Sequence, residues 1–322
     1  MANSYSLDVV IPCYNEEDNL PHTIPILNDY LTGLLSRDDV GLDRFRMILV
    51  DDGSSDRTWQ QIEAFTQEIS ATGLKLSRNY GHQNAMLAGL SVADADVVLT
   101  IDSDLQDDVN AILEMLKAHE AGADLALGVR RSRGRDSFFK KSTAKGYYGL
   151  MRLMGAQIVP DHADFRLMSQ KALKALLAHE ETNLFLRGII PSLGFRAEVI
   201  RYDRQTREHG ETKYTLRKML SLAVNGVTSF SAAPLRFVAV LGISVFLISM
   251  LLAFWFLVER LFVSESTVPG WASTVLPMLW LGGLQIFCMG IIGEYVGKIY
   301  LEVKRRPRFI IDKKISSIYL KI

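Results

Sequence analysis

Along the first part of this chain, apolar and polar positions follow one recurring order: a short apolar run, a polar cluster, then apolar residues three and four apart. Leu7-Asp8-Val9-Val10-Ile11-Pro12 reads as a first strand. The polar cluster Asn15 to Asn19 then leads into a helix through Leu35, marked by Leu20, Ile24, Leu27 and Leu31. Met47 to Val50 predicts a second buried strand, closed by Asp51-Asp52-Gly53-Ser54-Ser55-Asp56, and Thr58 to Ile69 a second helix. A short strand at Leu74 to Leu76, the polar turn Arg78 to His82 and a small-residue helix from Ala85 to Val92 repeat the order. Val97 to Thr100 is the next buried strand and opens into Ile101-Asp102-Ser103-Asp104-Leu105-Gln106-Asp107, ahead of a helix near Asn110 to His119 and a strand at Leu125 to Val129. Strands alternating with helices predict a parallel, doubly wound α/β sheet. Its polar strand ends, at Tyr14, Asp51, Arg78 and Asp102, gather along one edge, where open α/β sheets place ligands.

The pattern then changes. Arg130 to Lys145 is a basic loop containing Arg131, Arg133, Arg135, Lys140 and Lys141, followed by a helix near Tyr147 to Met154. Asp161-His162-Ala163-Asp164-Phe165-Arg166-Leu167 precedes a helix through Leu177, and a late strand runs from Phe195 to Tyr202. Phe237 to Val258 and Ala272 to Ile292 are then continuously apolar or small, without a charge. At ~1.5 Å per residue each is long enough for a bilayer core of about 30 Å. The loop between them carries only Glu259, Arg260 and Glu265, whereas Arg217, Lys218 and the Lys304 cluster flank the pair. By the positive-inside rule, both flanks and the α/β domain face the cytoplasm. Leu216, Met219, Leu220, Ala223, Val227 and Phe230 share one helical face, which suits an interfacial helix on the leaflet or a helix packed on the domain. The organisation expected is an α/β catalytic domain over 1–214, an interfacial helix over 215–233, spans at about 235–258 and 272–293, and a basic cytoplasmic tail over 304–322.

Composition narrows this further. Lys plus Arg equals Asp plus Glu at 36 each, so no global field argues for a nucleic-acid partner. Cys13 and Cys288 form no ligand cluster or disulfide framework, as fits a reducing compartment. The first apolar run is short and has no basic flank, so no signal peptide is expected.

The acidic loop carries the candidate chemistry. Asp102 and Asp104, one residue apart where a strand opens, are placed to hold a divalent cation. The plainer reading is a turn rich in helix-capping residues, and Asp107 and Asp108 are expected to cap and charge the next helix. His82, His162, His179 and His209 have no metal-like spacing and read as structural or surface residues.

Five motifs in order decide between these readings: Pro12-Cys13-Tyr14-Asn15-Glu16, Val50-Asp51-Asp52-Gly53-Ser54-Ser55-Asp56-x-Thr58, Asp102-Ser103-Asp104-Leu105-Gln106-Asp107, Asp164-Phe165-Arg166-Leu167 and Asn183-Leu184-Phe185-Leu186-Arg187-Gly188. Together with the paired apolar segments, they make the chain resemble glycosyltransferase family 2, within it the polyprenyl-phosphate glycosyltransferases. The resemblance implies a GT-A (Rossmann-like) domain, an inverting hexosyl transfer, and a nucleotide sugar and a polyprenyl phosphate as partners at a lipid bilayer. UDP-glucose and undecaprenyl phosphate are favoured, for surface glycan or lipopolysaccharide modification at a bacterial inner membrane. GDP-mannose, UDP-N-acetylhexosamine and a UDP-aminoarabinose donor are the rivals, a non-catalytic membrane scaffold is the alternative of another class, and self-association stays open.

Residue by residue, the resemblance places Pro12, Tyr14, Glu16, Asp51, Asp52 and Arg78 around the nucleotide. Asp102 and Asp104 fall on Mg2+ or Mn2+, with Gln106 beside the metal. Arg130, supported by Lys140 and Lys141, falls on the acceptor phosphate, and Arg207 and Lys213, from a loop with Thr212 where the family has Ser, on the phosphates of the donor. Asp164 falls on the position of a base or orienting carboxylate, with an ion pair to Arg166 as the structural alternative. Gly53 serves the backbone.

Overall fold

Tyr5–Cys13 are buried along their whole length and form β1, the strand about which the sheet is laid out. This is the signature of a strand covered on both faces. In the computed structural model, residues 4–130, 162–181, 186–203, 233–262 and 271–317 are described. After β1 come α1 (Leu20–Leu35), β2 (Leu42–Asp51), α2 (Thr58–Glu68), β3 (Ala71–Leu76), α3 (His82–Val92), β4 (Val97–Thr100), α4 (Ala111–Glu120) and β5 (Leu125–Arg130). Then follow β6 (His162–Ser169), α5 (Gln170–Leu177), α6 (Leu186–Ser192), β7 (Ala197–Tyr202), α7 (Ala233–Phe262), α8 (Trp271–Val303) and β8 (Ile311–Ser316). The face of α1 that meets the sheet is Leu20, Ile24, Leu27, Leu31 and Leu34, the three-and-four spacing of the sequence.

The eight strands lie in the order β7-β5-β6-β4-β1-β2-β3-β8. β1 is parallel to β2 and β4, and β2 to β3. The sheet is mixed, however, and corrects the parallel expectation: β6 runs antiparallel between β4 and β5, and β8 runs antiparallel on β3. The α/β expectation holds, and the mixed sheet is consistent with the GT-A domain that the resemblance implied. β6 escaped the sequence pattern because Asp164 and Arg166 interrupt its apolar run, and both are nevertheless buried. The helices expected at 147–154 and 215–233 lie essentially outside the described residues.

The segment expected as a basic tail instead supplies β8. Ile-Asp-Lys-Lys-Ile-Ser carries charges that suit an edge strand, where they deter pairing with another chain. Ser77 donates its N–H to the Ile310 carbonyl at 3.0 Å, Ser317 its N–H to Ala71 at 2.9 Å, and Arg308 reaches the His179 carbonyl. Ile315 packs where Gly73 has no side chain: a Cβ at Gly73 would lie 2.9 Å from Ile315 Cγ1. Ser77 leads directly into the Arg78 loop, so β8 braces one wall of the strand-end edge. Ile315→Asp places a carboxylate on this contact and is expected to lower stability by about 2 kcal/mol. A thermal melt should then shift down by about 4–8 °C, and an unchanged melt would show that β8 does not support the sheet.

α7 and α8 belong to a separate unit of the chain. Both expose large apolar side chains, among them Leu251, Phe254 and Trp255 on α7, and Ile286, Met289 and Ile292 on α8. Among the described residues no helix is long and apolar enough to cross a membrane, so the two spans rest on the sequence pattern.

Candidate active site

Three loops at the carboxyl ends of β1, β2 and β3 are stitched together by the residues of the first two motifs. Asn15 takes φ 54°, which Asn tolerates, and its N–H donates to Ser54 Oγ at 3.0 Å while its Oδ1 accepts from Ser55 N at 2.9 Å. Glu16 donates its N–H to Thr58 Oγ1 at 2.8 Å, and Glu17 its N–H to Asp56 Oδ2 at 3.1 Å. Asp52 accepts the Tyr80 N–H at 2.7 Å and the Gly81 N–H at 2.9 Å. Its burial raises the carboxyl pKa, and these two N–H groups offset part of the rise. The Asp-Asp-Gly-Ser-Ser-Asp-x-Thr motif is therefore first a scaffold that clasps the loops on either side.

Gly53 shows how tight that clasp is. Its φ is +67°, and a Cβ there would sit 2.3 Å from the Arg78 carbonyl carbon and 2.5 Å from the Asn79 nitrogen. Gly53→Ala adds about 1 kcal/mol of left-handed strain to this backbone overlap. It is expected to raise the donor KM at least tenfold, and an unchanged donor KM would show that the Arg78 loop does not shape the pocket.

The clasped loops and the end of β4 enclose a pocket of about 260 Å³ lined by Pro12, Tyr14, Glu16, Asp52, His82, Asp102 and Asp104, with Asn79 and Gly81 in the wall. Tyr14 lines this pocket and is 48% exposed. Six of the residues that the sequence assigned to nucleotide or metal thus share one pocket. Asp51 and Arg78 line none of it. Asp51 is fully buried and takes the Ser54 N–H at 2.9 Å, whereas exposed Arg78 stacks on Tyr80 at 4.4 Å. Lys140, Lys141, Arg207 and Lys213 lie outside the described residues.

At the acidic loop, one Asp102 oxygen is buried with no hydrogen-bond partner. Burial, set against the attraction of His82 and joined by the charges of Asp164, Asp107 and Asp104, pushes its carboxyl up to about 6. A buried oxygen with no hydrogen bond, facing His82 Nε2 at 3.5 Å and crowded by the charges of Asp104, Asp107 and Asp164, belongs to a donor set that would fit a hard divalent cation. Gln106 donates its Nε2–H to Asp104 Oδ2 at 2.5 Å and its N–H to Asp104 Oδ1 at 3.2 Å, so it orients Asp104. Among the described residues no group of three or more His, Cys, Asp or Glu could hold a metal alone. The two carboxylates would therefore share a cation with a ligand's own oxygens.

Asp164 is gripped from three sides. Arg166 Nη2 reaches its Oδ1 at 2.5 Å, Arg187 Nη2 its Oδ2 at 2.6 Å, and His82 Nε2 lies 3.4 Å from Oδ2. Burial opposes ionisation, but His82, Arg166 and Arg187 outweigh it and hold the carboxyl far below the usual range. Such a group is a very weak proton acceptor. The ion pair with Arg166, offered by the sequence as an alternative, is present. His82, read from the sequence as structural or surface, stands between Asp102 and Asp164, 3.5 Å from Asp102 Oδ1. Burial draws its pKa down, and the two carboxylates more than reverse this. The one local sign of its place is Gly81, which turns the chain at φ 89° to start α3 at His82.

Arg130 lies on Asp107: its Nη2 and Nε meet Asp107 Oδ1 at 3.0 and 3.1 Å, and the Tyr202 hydroxyl donates to the same oxygen at 2.5 Å. Asp107 is therefore a buried anchor for Arg130 and corrects the capping expectation. Asp108 does serve the turn before α4, accepting the Asn110 N–H at 3.0 Å.

Two family models match the chain: Glycosyl transferase family 2 over residues 8–177, and the GtrB C-terminal hairpin over residues 233–299. An uncharacterized glycosyltransferase YkoT of Bacillus subtilis is 46% identical over 310 residues, spanning 95% of this chain and 91% of its own. The SfII prophage-derived bactoprenol glucosyl transferase of Shigella flexneri is 34% identical over 309 residues, spanning 95% of this chain and 97% of its own. Mannosyl-3-phosphoglycerate synthase from Rubrobacter xylanophilus is similar at 16% identity and a TM-score of 0.46, covering 83% of this chain and 79% of its own. On the match of the family model to more than half of its length, the chain belongs to glycosyl transferase family 2 and is an enzyme of the hexosyltransferase class.

Proposed function

We propose that this protein transfers a hexose from a nucleotide sugar to the phosphate of a polyprenyl phosphate at a membrane surface, with glucose from UDP-glucose as the favoured donor and undecaprenyl phosphate as the acceptor. The observation that carries the reading is the juxtaposition of the pocket holding Asp102 and Asp104 with arginines on the same edge of the sheet. Relatives named bactoprenol glucosyl transferase, matched over nearly their full length, support the acceptor class. The apolar runs at 237–258 and 272–292, basic on their outer flanks, support two spans with the catalytic domain and both termini cytoplasmic.

In this reading, the Tyr14 ring and Glu16 meet the base and ribose, and the diphosphate lies toward Asp102 and Asp104. Mg2+ or Mn2+ held by those two carboxylates would neutralise charge on the departing diphosphate. The acceptor phosphate is already largely ionised near neutral pH and needs little help from a base. Asp164, held ionised by Arg166 and Arg187, serves as a positioning group in this reading, and its lowered pKa supports the orienting role over that of a base. Catalysis then rests on bringing the two substrates together with their charge matched.

The test is a panel of radiolabelled sugar nucleotides offered to the detergent-solubilised full chain with undecaprenyl phosphate, with and without a chelator. The expected result is labelled lipid from UDP-glucose and its loss with chelator. No lipid-linked product from any donor would sink the reading, and product from GDP-mannose alone would reassign the sugar.

A further inference from the structure

Arg187 was assigned no role from its motif, yet the structure builds it as a counterpart of Arg130. Arg130 leans on Asp107, whose side chain is 1% exposed, and keeps 31% of its own side chain open. Arg187, on α6, leans on Asp164, whose side chain is 6% exposed, and keeps 46% open. Its Nε lies 3.1 and 3.2 Å from the two Asp164 oxygens and its Nη2 2.6 Å from Oδ2. A buried carboxylate that takes one edge of a guanidinium fixes its plane and leaves its remaining donors outward.

These two heads also feel one another. Arg130 ends β5, which pairs with β6, the strand that carries Asp164, so the two ion pairs stand on neighbouring strands at one end of the sheet, and the charge of Arg130 opposes that of Arg187. Behind Asp164, fully buried Arg166 has Nε and Nη1 without hydrogen-bond partners, which adds positive potential to this end of the sheet. Two like charges held close on separate rigid anchors are unfavourable in the free protein, and an incoming dianion relieves that repulsion. Neither arginine lines the pocket that holds Tyr14, Asp52 and Asp104. In the proposed reading the donor diphosphate would lie at the acidic pair, where Asp102 and Asp104 would hold a cation, and this leaves the arginines for the second substrate.

We propose that Arg187 is the second arm of a two-arginine cradle that, with Arg130, binds the phosphate monoester of the acceptor. This deepens the transfer reading above and rests on it. Arg187 contributes directed N–H donors to the phosphate while Asp164 keeps its plane, so it determines acceptor affinity and leaves nucleotide binding alone.

The experiment compares the full-length protein with Arg187→Ala and Arg187→Lys in the labelled transfer assay. The KM for undecaprenyl phosphate and that for the nucleotide sugar are measured separately, and UDP binding is followed by calorimetry. Arg187→Ala is expected to raise the acceptor KM by about 10- to 100-fold, the range for losing hydrogen bonds to a charged group. UDP affinity and donor KM should stay within about twofold, and Arg187→Lys, which keeps a charge against Asp164 without the planar fork, should recover only part of the loss. Inorganic phosphate should inhibit the wild type against acceptor and lose that inhibition in Arg187→Ala. An unchanged acceptor KM, or equal losses for donor and acceptor, overturns the proposal, as does full recovery by lysine. Should Arg187→Ala not fold, Arg187→Lys and the phosphate inhibition of the wild type decide alone. If the wild type makes no lipid-linked sugar, the transfer reading falls. If it does and the Arg187 variants keep their acceptor KM, only the cradle falls.

Discussion

Asp104→Asn is expected to cut sugar transfer by about three orders of magnitude while leaving the protein folded. The expected size follows from the chemistry of the departing diphosphate, where a bound cation supplies several kcal/mol of charge stabilisation and each 1.36 kcal/mol is about tenfold in rate. Asp104 stands in the pocket beside Asp102, and Gln106 fixes it through two hydrogen bonds. An asparagine keeps the shape and one oxygen but removes the charge that would face a cation. Stability should barely move, because removing one of several crowded carboxylates relieves repulsion around Asp102. Transfer rates measured across a Mg2+ or Mn2+ titration check this, and near-normal turnover by the variant would remove the metal role.

Asp164→Asn is expected to act on the fold as strongly as on the rate. Arg166 is fully buried and the variant strips it of its carboxylate. Breaking a buried pair in this way costs about 3–5 kcal/mol, equivalent to a drop of about 6–20 °C in the melt of a domain this size. Adding Arg166→Met should return much of the stability, since an apolar replacement of both partners is often neutral. The sign with pH is also fixed. Asp164 has its folded pKa far below the ordinary carboxylate value, so its stabilisation is complete above about pH 4 and fades only as pH falls toward that lower value. A pH-rate profile should therefore show no inflection from Asp164 above pH 4. A variant that kept its melt and merely lost a kinetic ionisation would make Asp164 a proton acceptor and overturn its positioning role.

Most of the pocket's lining was legible in the order of the residues. Pro12, Tyr14, Glu16 and Asp52 fall immediately after apolar runs, as does the Asp102 to Asp104 loop, and buried strands of one direction end on one edge. The helix faces followed in the same way, because a 3.6-residue period is a local property. His82 was missed for a reason of the same kind in reverse. Its meaning lies in Asp102 and Asp164, which no spacing connects to it.

The sequence by itself thus determined the α/β character, the loops that bear the acidic pair and the apolar runs read as membrane spans, since each follows from periodicity or composition within one segment. Only the tertiary structure decided which charges are spoken for. Arg130 meets Asp107 from 23 residues away and Tyr202 from 72, and Arg187 meets Asp164 from 23. It likewise decided that Asp164 and Arg166 are buried in an antiparallel strand, and that the basic tail returns as β8 against β3. The physical reason is that burial and ion pairing join residues distant along the chain. Their energies depend on what each charge faces after folding, which the run of neighbouring residues does not contain.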